Sequence, residues 1–313
     1  MQIFNSLEEI TNIEPTVIAL GNFDGVHLGH QELIFRAVKS AKSSGYKSAV
    51  FTFSNHPKNL LPGKKVKNIL YKEEKAEIIK TLGVDYIFNI EFTKEILTMD
   101  PADFIDNILV EKLKMKEAYC GFNYRFGYKA TGTPEVLMRE GSKKGFSINV
   151  IEPIIIEGEI VSSTLIRHLI ATGRVERCSK YMGRNYEISG EVVVGNKLGR
   201  KLGFPSLNLM IDESMVSPPN GVYITYCNYN GIKYPSITNV GVKPTVGVYN
   251  KNVETHIFSF DEDLYGKKIL VEFLKKTRSE KKFDSVEKLS EQIVKDCNEA
   301  KAFHENVFNG KGL

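Results

Sequence analysis

The chain has 313 residues, which exceeds the ~100 to 200 residues of a usual domain, so we expect two domains that each bury a core. Hydrophobic residues make up 42% of the chain and charged residues 26%, a balance that excludes a disordered protein. The 42 Lys and Arg against 38 Asp and Glu leave a net charge of +4, spread evenly along the chain, which excludes a basic nucleic-acid-binding platform.

The cysteines are far apart and have neither the spacing of a zinc site nor that of a disulfide framework, so a reducing compartment is expected. No apolar run approaches the ~18 residues of a membrane span, and the amino terminus lacks a basic segment followed by an apolar one. We therefore expect a cytoplasmic protein, monomeric or weakly self-associating, that acts on small molecules without membrane or nucleic-acid partners. The four cysteines are Cys120, Cys178, Cys227 and Cys297.

Residues 1–183 alternate short β-rich runs with amphipathic helical patterns. Strands are predicted at "TVIAL", "KSAVFTF", "VDYIFNI", "EAYCG" and "FSINVIEP", and helices at "HQELIFRAVKSAK", "KEEKAEIIKTL" and "PADFIDNILVEKL". This alternation is typical of a parallel sheet covered by helices. The prediction is a Rossmann-like, doubly wound α/β domain.

Residues 184–313 follow a different pattern, with the change expected between residues 182 and 185. The runs "YEISGEVVVG", "GVYITYCNY", "IKYPSITNV", "VETHIFSF" and "KKILVEFLKK" predict antiparallel strands, and Asn230-Gly231 predicts a tight hairpin turn. The final segment, "SVEKLSEQIVKDCNEAKAFHENVF", keeps a helical apolar stripe. The prediction is a small antiparallel β-barrel with one long terminal helix.

The first strand-to-helix junction, "ALGNFDGVHLGHQELI", carries two histidines three residues apart. His27 and His30 would lie on one side of the first helical turn, where both can donate hydrogen bonds to phosphate oxygens. The free amides and the positive dipole end of the helix would also favour an anion. A pair of histidines alone is weak evidence, but the order of strand, Gly21, the Asp24-Gly25 turn and helix is typical of a ligand site in an open α/β sheet.

The stretch "GNFDGVHLGHQ" resembles the His-x-Gly-His nucleotidyltransferase signature of the bacterial bifunctional riboflavin kinase/FAD synthetases. The resemblance implies that His27 and His30 stabilise the α-phosphate of ATP while another phosphate attacks it and pyrophosphate leaves. Such a reaction requires alignment and donors at the developing oxygen charge rather than a protein nucleophile. It also implies nucleotide-binding roles for Gly21, Phe23, Asp24 and Gly29, the last leaving room for a base or ribose.

Three further stretches match the adenylyltransferase half of this family. "SSTLIRHLI" resembles an element that holds the ATP phosphates, which implies roles for Ser163, Thr164 and Arg167. "TFSNHPKNLL" and "CGFNYRFGYKATG" resemble loops near the flavin and the nucleotide, which implies roles for His56 and Asn123. Asn123 stands where the family has Asp, so a direct metal-ligand role there is in doubt, and an ordinary packed strand end is the preferred interpretation of the aromatic residues that follow it.

The second half contains a separate glycine-rich loop, "VVVGNKLGRKLGFPSLNL", which is not a Walker loop. The spacing of its glycines alone is typical of a barrel corner. However, "FPSLN" resembles the Pro-Thr-Ala-Asn motif of riboflavin kinases. The match implies that the Ser206 hydroxyl and the Asn208 amide oxygen bind Mg²⁺. It also implies that the loop binds ATP through Gly195, Gly199, Lys201 and Gly203.

Two charged residues complete the predicted kinase site. In "VETHIFSF", Glu254 matches the family's general base, which would accept the proton of the ribityl 5'-hydroxyl as that oxygen attacks the γ-phosphate. In "KKTRSEKKFDS", Arg278 is implied at the flavin.

The resemblance spans almost the whole chain and implies two reactions. Riboflavin is phosphorylated to FMN in the second domain, and FMN is adenylylated to FAD in the first, both with MgATP. The alternative is that only one activity is retained and that the other domain serves as a flavin-binding or sensing module.

Overall fold

The computed structural model describes residues 1–63, 65–195, 199, 202–245 and 248–310. The chain divides into two compact units, Met1–Ser163 and Thr164–Leu313. The boundary predicted from the sequence, between residues 183 and 184, stays a prediction. No helix in these described ranges is long and apolar enough to cross a bilayer.

The first unit contains a parallel sheet of six strands within the described residues, in the order β1-β4-β3-β2-β5-β6. The central strand β2 is buried along its whole length, because helices cover both faces of such a sheet. The sheet confirms the predicted α/β fold and adds the edge strand β1, which the sequence patterns missed. The strands are β1 (Gln2–Phe4), β2 (Thr16–Leu20), β3 (Lys47–Phe53), β4 (Tyr86–Ile90), β5 (Met115–Gly121) and β6 (Ser147–Ile151).

The helices of this unit pack an apolar face on the sheet. The segment predicted as a helix at "PADFIDNILVEKL" forms one short helix, α4, that continues as a π-helix over Phe104–Lys112, where Leu113 N donates to Ile108 O at 2.9 Å. The wider turn buries Phe104, Ile105, Ile108 and Leu109 together. The α-helices are α1 (Leu28–Ser44), α2 (Lys72–Thr81), α3 (Lys94–Thr98), α4 (Pro101–Asp103) and α5 (Pro134–Lys144), and a small hairpin joins β7 (Ile155–Ile156) to β8 (Glu159–Ile160).

The strand order determines where a ligand site can form. The chain runs from β2 to β3 on one side and later returns to β5 on the other side, so the strand order reverses at β2. Ligands bind outside the carboxyl ends of the strands at such a switch point. The loop from β2 to α1, which carries both histidines, starts there.

The second unit is built on an antiparallel sheet with the strand order β10-β13-β12-β11-β14-β9. Val193, just past β9, bridges Asn208 of β10, with its N–H donating to Asn208 O at 2.9 Å, so the two edges meet in a nearly closed barrel. The barrel confirms the predicted second fold. Its strands are β9 (Tyr186–Glu191), β10 (Leu207–Met210), β11 (Gly221–Tyr229), β12 (Ile232–Thr245), β13 (Val248–Ile257) and β14 (Lys268–Ser279).

Helices and one turn complete the second unit. The long terminal helix α8 (Val286–Phe308) confirms the predicted terminal helix, and it begins after Ser285, whose side chain accepts from Lys288 N. Asn230 and Gly231 have φ of 50° and 79° between the paired Tyr229 and Ile232, which is the left-handed geometry of the predicted hairpin turn. Two shorter helices precede the barrel, α6 (Ser163–Ala171) and α7 (Cys178–Met182).

Candidate active sites

His27 caps the amino terminus of α1. Its backbone is extended, with φ −71° and ψ 171°, and its Nδ1 accepts a hydrogen bond from His30 N at 3.2 Å. Because Nδ1 is an acceptor, the neutral ring carries its proton on Nε2, which is then a donor. The two imidazole rings stack with centroids 3.6 Å apart and planes 15° apart. The 17-residue helix has no acidic side chain in its first turn, so its positive end is open to an anion.

The glycines of this loop make room for particular rings. A Cβ on Gly29 would lie 3.3 Å from His27 Nδ1, and a Cβ on Gly21 would lie 3.2 Å from the ring of the buried Phe23. The absence of a side chain at Gly29 therefore leaves room for the His27 ring. The sequence analysis assigned this space to a base or ribose and did not predict the contact with His27. Phe23, Gly25 and Val26 have φ of 51°, 82° and 37°, so the turn is strained.

Asp24 anchors the turn within the first unit. Its carboxylate accepts from Ile69 N at 2.9 Å and Leu70 N at 3.3 Å, and its carbonyl oxygen accepts from Ser163 Oγ at 2.7 Å. The side chain is 7% exposed. These contacts make Asp24 a residue that positions the loop, and they give Ser163, at the start of α6, a defined role there.

The other residues of the "SSTLIRHLI" element lie in the second unit. Thr164 is exposed and Arg167 is half-buried, both in the first two turns of α6. Their predicted role at the ATP phosphates stays a prediction.

The predicted flavin and nucleotide loops have different environments. His56 begins the 3₁₀ turn Pro57–Leu60 and its Nδ1 accepts from Lys58 N at 3.2 Å. It lines a small polar cavity with Asn22, Asp24 and Lys75. Asn123 is exposed in the turn after β5, and the described contacts do not join it to His56. Tyr124 and Phe126, which follow it, stack at 5.7 Å on the core, as expected for a packed strand end.

Lys75 is a residue that sequence reasoning missed. It lies on α2, is 6% exposed and bonds to oxygens at the ends of β2 and β3. One feature of the sequence could have indicated its burial: Lys75 lies four residues before Ile79 and therefore on the apolar face of the helix.

A cavity of about 600 Å³ opens in the second unit between the barrel wall and the start of α8. This volume is large enough for a drug-sized ring system, and both apolar and polar side chains line it. The apolar lining includes Val222, Ile237, Phe283, Leu289 and Ile293, and the polar lining includes Ser206, Asn239, Glu254 and Arg278.

Strand pairing brings the predicted base beside a predicted metal ligand. Glu254 of β13 is the register partner of Asn208 on β10 and of Asn239 on β12. Glu254 is half-buried and lines the cavity. These residues, about 15 to 46 positions apart in the chain, become neighbours only through the barrel.

Asn208 and Ser206 fit a hard cation such as Mg²⁺, because both supply oxygen. Asn208 is 4% exposed, and its Oδ1 accepts from Asn252 Nδ2 at 3.1 Å, so Asn252 orients it. Asn252 Oδ1 is buried and has no hydrogen-bond partner in the described part of the chain, which leaves one more oxygen for an ion or its water. Sequence reasoning missed Asn252.

The glycines between β9 and β10 allow neighbouring groups to lie close to the backbone. A Cβ on Gly195 would lie 2.6 Å from Asn208 Cγ, and a Cβ on Gly199 would overlap Phe204 O and lie 3.3 Å from Ser206 Oγ. Gly203 has φ of 84°, which favours glycine. Lys201 lies outside the described residues.

Arg278 is held by α8. Its Nη2 and Nε donate to Asp296 Oδ2 at 2.7 and 3.0 Å, and Asp296 also accepts from Gln292 Nε2 at 2.8 Å. Asp296 is 5% exposed and Arg278 is half-buried, so this ion pair at the cavity wall is partly shielded from solvent. Neither Asp296 nor Gln292 was identified from the sequence, where both read as ordinary helix residues.

His256 connects β13, the strand that carries Glu254, to the loop that carries Ser206. It lies two residues after Glu254, lines the cavity, and its Nδ1 is 2.7 Å from Pro205 O, just before Ser206. The carbonyl can only accept, so Nδ1 carries the proton. Burial lowers the pKa of His256, which keeps this ring neutral at pH 7.

Comparison with known proteins assigns an enzyme family to each part of the chain. The FAD synthetase family model matches residues 9–165, and the riboflavin kinase family model matches residues 182–304. The chain is 34% identical to the bifunctional riboflavin kinase/FMN adenylyltransferase of Bacillus subtilis, with 93% of each chain covered, and 32% identical to that of Escherichia coli, again with 93% of each covered.

A solved structure from Streptococcus pneumoniae, titled a macrolide-efflux protein, is also similar, with a TM-score of 0.86 and 29% identity over 96% of this chain and 98% of that chain. Both family models and relatives of matching length cover the two units. The chain belongs to the bifunctional riboflavin kinase/FMN adenylyltransferase family.

Proposed function

We propose that the two reactions of the family are carried out at the two sites described above. Riboflavin and MgATP give FMN and ADP at the barrel cavity, and FMN and ATP give FAD and pyrophosphate at the junction of β2 and α1. The observation that carries this proposal is the presence of two separate phosphate-handling arrangements in one chain, each inside its own family-matched range.

In the adenylyltransferase, the FMN phosphate attacks the α-phosphorus of ATP directly. Charge gathers on the α-phosphate oxygens, and His27 Nε2, His30 and the positive amino-terminal end of α1 stabilise it. Thr164 and Arg167 bind the phosphates that leave as pyrophosphate, and His56 and Asn123 border the flavin. The protein's work is alignment and hydrogen-bond donation, with no covalent intermediate.

In the kinase, riboflavin lies in the barrel cavity with Arg278 at its wall. Glu254 accepts the proton of the ribityl 5'-hydroxyl as that oxygen attacks the γ-phosphate. Ser206 Oγ and Asn208 Oδ1 hold the Mg²⁺ that accompanies ATP. The bound ion supplies neutralisation of phosphate charge. The loop glycines Gly195, Gly199 and Gly203, with Lys201, contact the nucleotide.

The protein acts on small molecules, and we further propose a cytoplasmic location and a monomeric or weakly self-associating state without nucleic-acid partners. Light scattering after size-exclusion chromatography tests the state of association. The single-activity alternative has no support, because each half matches its own enzyme family.

Incubation of the purified protein with riboflavin and MgATP, followed by chromatography of the flavins, tests the proposal. FAD as the end product supports both activities. FMN alone would leave only the kinase, and unchanged riboflavin with FMN still converted to FAD would leave only the adenylyltransferase.

Two substitutions test the residue assignments in the same assay. His27→Ala should lower FMN adenylylation by roughly 100-fold or more, since it removes a donor to the developing charge, and should leave riboflavin phosphorylation unchanged. Glu254→Gln should do the reverse, again by roughly 100-fold or more, because the base is lost. Wild-type adenylylation by the first variant, or wild-type phosphorylation by the second, contradicts the assigned role.

A further inference from the structure

Lys75 is a buried cation whose partners are all neutral oxygens. Its Nζ donates to Phe53 O at 2.6 Å and Thr52 Oγ1 at 3.1 Å, and it lies 3.5 Å from Asn22 O. The side chain is 6% exposed. An ammonium group has three donors, and three oxygens surround this one.

One of these oxygens belongs to the loop after β2, and the other two belong to the last two residues of β3. Asn22 lies in the β2 to α1 loop, immediately before Phe23 and Asp24, and Phe53 ends the strand that leads to His56. The Thr52 hydroxyl also donates to Asn22 O at 2.9 Å. One network therefore joins the carboxyl ends of two neighbouring parallel strands at the switch point.

Burial of the charged Lys75 ammonium group destabilises the folded protein. Burial lowers the pKa of Lys75 to about 8, and the nearby Asp24 carboxylate acts in the opposite direction. His56 and Lys72 line the same small cavity, together with Asp24. A positive charge at this edge of the sheet favours bound phosphates, which gives the site a reason to keep a cation that folding alone disfavours.

We propose that Lys75 is a positioning residue of the adenylyltransferase, which ties the β2 to α1 loop to the carboxyl end of β3, the strand that leads to His56, and holds both in the conformation that binds ATP and FMN. This inference rests on the proposed function of that site. It assigns Lys75 no contact with the reacting atoms. Its loss should weaken substrate binding more than it slows turnover.

Lys75→Met tests the role, because methionine keeps most of the volume and removes the charge. FMN adenylylation should show KM values for FMN and ATP at least tenfold higher, with kcat within threefold of the wild type. Riboflavin phosphorylation in the same molecules serves as the internal reference and should stay within twofold. The matched control is Lys80→Met, on the same helix but half-exposed and paired with Glu77, which should leave both activities unchanged.

The pH profile separates positioning by a charge from a purely structural effect. For the wild type, kcat/KM of FMN adenylylation should fall as the pH rises through about 8, where Lys75 loses its proton. Lys75→Arg keeps the charge and should move this fall to higher pH, and Lys75→Met should lack it. The phosphorylation reaction in the same chain should not show it.

Unchanged KM values in folded Lys75→Met protein, or an alkaline fall that persists in this variant, would overturn the inference. Folding of the variant is checked by thermal unfolding and by circular dichroism. His27→Ala distinguishes a failure of the proposed function of the site from a failure of the role of Lys75 alone. If His27→Ala still makes FAD, the proposed function of the site fails; if it does not, and Lys75→Met behaves as the wild type, only the role of Lys75 fails.

Discussion

A methyl group at Gly195 should disable the kinase while sparing the adenylyltransferase. In the structure a Cβ at this position would overlap Asn208 Nδ2 and lie 2.6 Å from Asn208 Cγ, whereas ordinary contacts begin near 3.4 Å. The Asn208 amide is buried and bonded to Asn252, so it has no free space into which it can retreat without breaking that bond. Relief of the overlap requires a displacement of about 1 Å, and a misplacement of that size costs roughly 100-fold in rate, or about 3 kcal/mol.

The assay measures both reactions of the Gly195→Ala protein by chromatography of the flavins. We expect kcat/KM for riboflavin phosphorylation to fall by roughly 100-fold, with a higher Mg²⁺ requirement, because Asn208 Oδ1 no longer meets the ion. Adenylylation of FMN should be unchanged. The matched control is Gly190→Ala on β9, where the added Cβ would lie 3.6 Å from Leu209 Cδ2, an ordinary contact.

Riboflavin phosphorylation by Gly195→Ala with wild-type efficiency and wild-type Mg²⁺ dependence would refute this prediction. That result would mean that Asn208 is not needed where the structure has it. A loss of both activities in Gly195→Ala, together with a lower unfolding temperature, would point instead to general destabilisation.

Three further substitutions probe the barrel. Asp296→Ala should lower the free energy of unfolding by about 2 kcal/mol, seen by calorimetry, and raise the KM for riboflavin, because it leaves the half-buried charge of Arg278 without its carboxylate partner; a stable variant with a normal KM would contradict this. Asn252→Ala should raise the Mg²⁺ concentration for half-maximal phosphorylation severalfold and weaken Mn²⁺ binding to the ADP complex in calorimetry, since Asn208 loses its orienting donor; unchanged binding would argue against that role. Gly231→Ala, at φ of 79°, should destabilise the protein by about 1 kcal/mol and leave both activities intact, so a loss of either activity would show that the turn does more than connect strands.

Local signals in the sequence predicted the strand, the turn and the helix start around His27, because their arrangement is itself local. A strand, a glycine, a turn and a helix amino terminus follow one another within 12 residues, and each is specified by short-range hydrogen bonds and steric limits. The same holds for the Asn230-Gly231 turn. The reason for Gly29 was not predicted, because the position of the His27 ring depends on its stacking with His30.

The sequence by itself determined the two fold types, the family resemblance and the residue types able to handle phosphate and Mg²⁺. Only the tertiary structure decided which of them meet. Strand pairing makes Glu254 the neighbour of Asn208. Helix packing places Asp296 beside Arg278 and buries Lys75 among oxygens of β3 and of the loop after β2. Periodicity specifies which face of an element is apolar, but a charged residue on that face becomes buried and functional only when elements distant in the chain close over it.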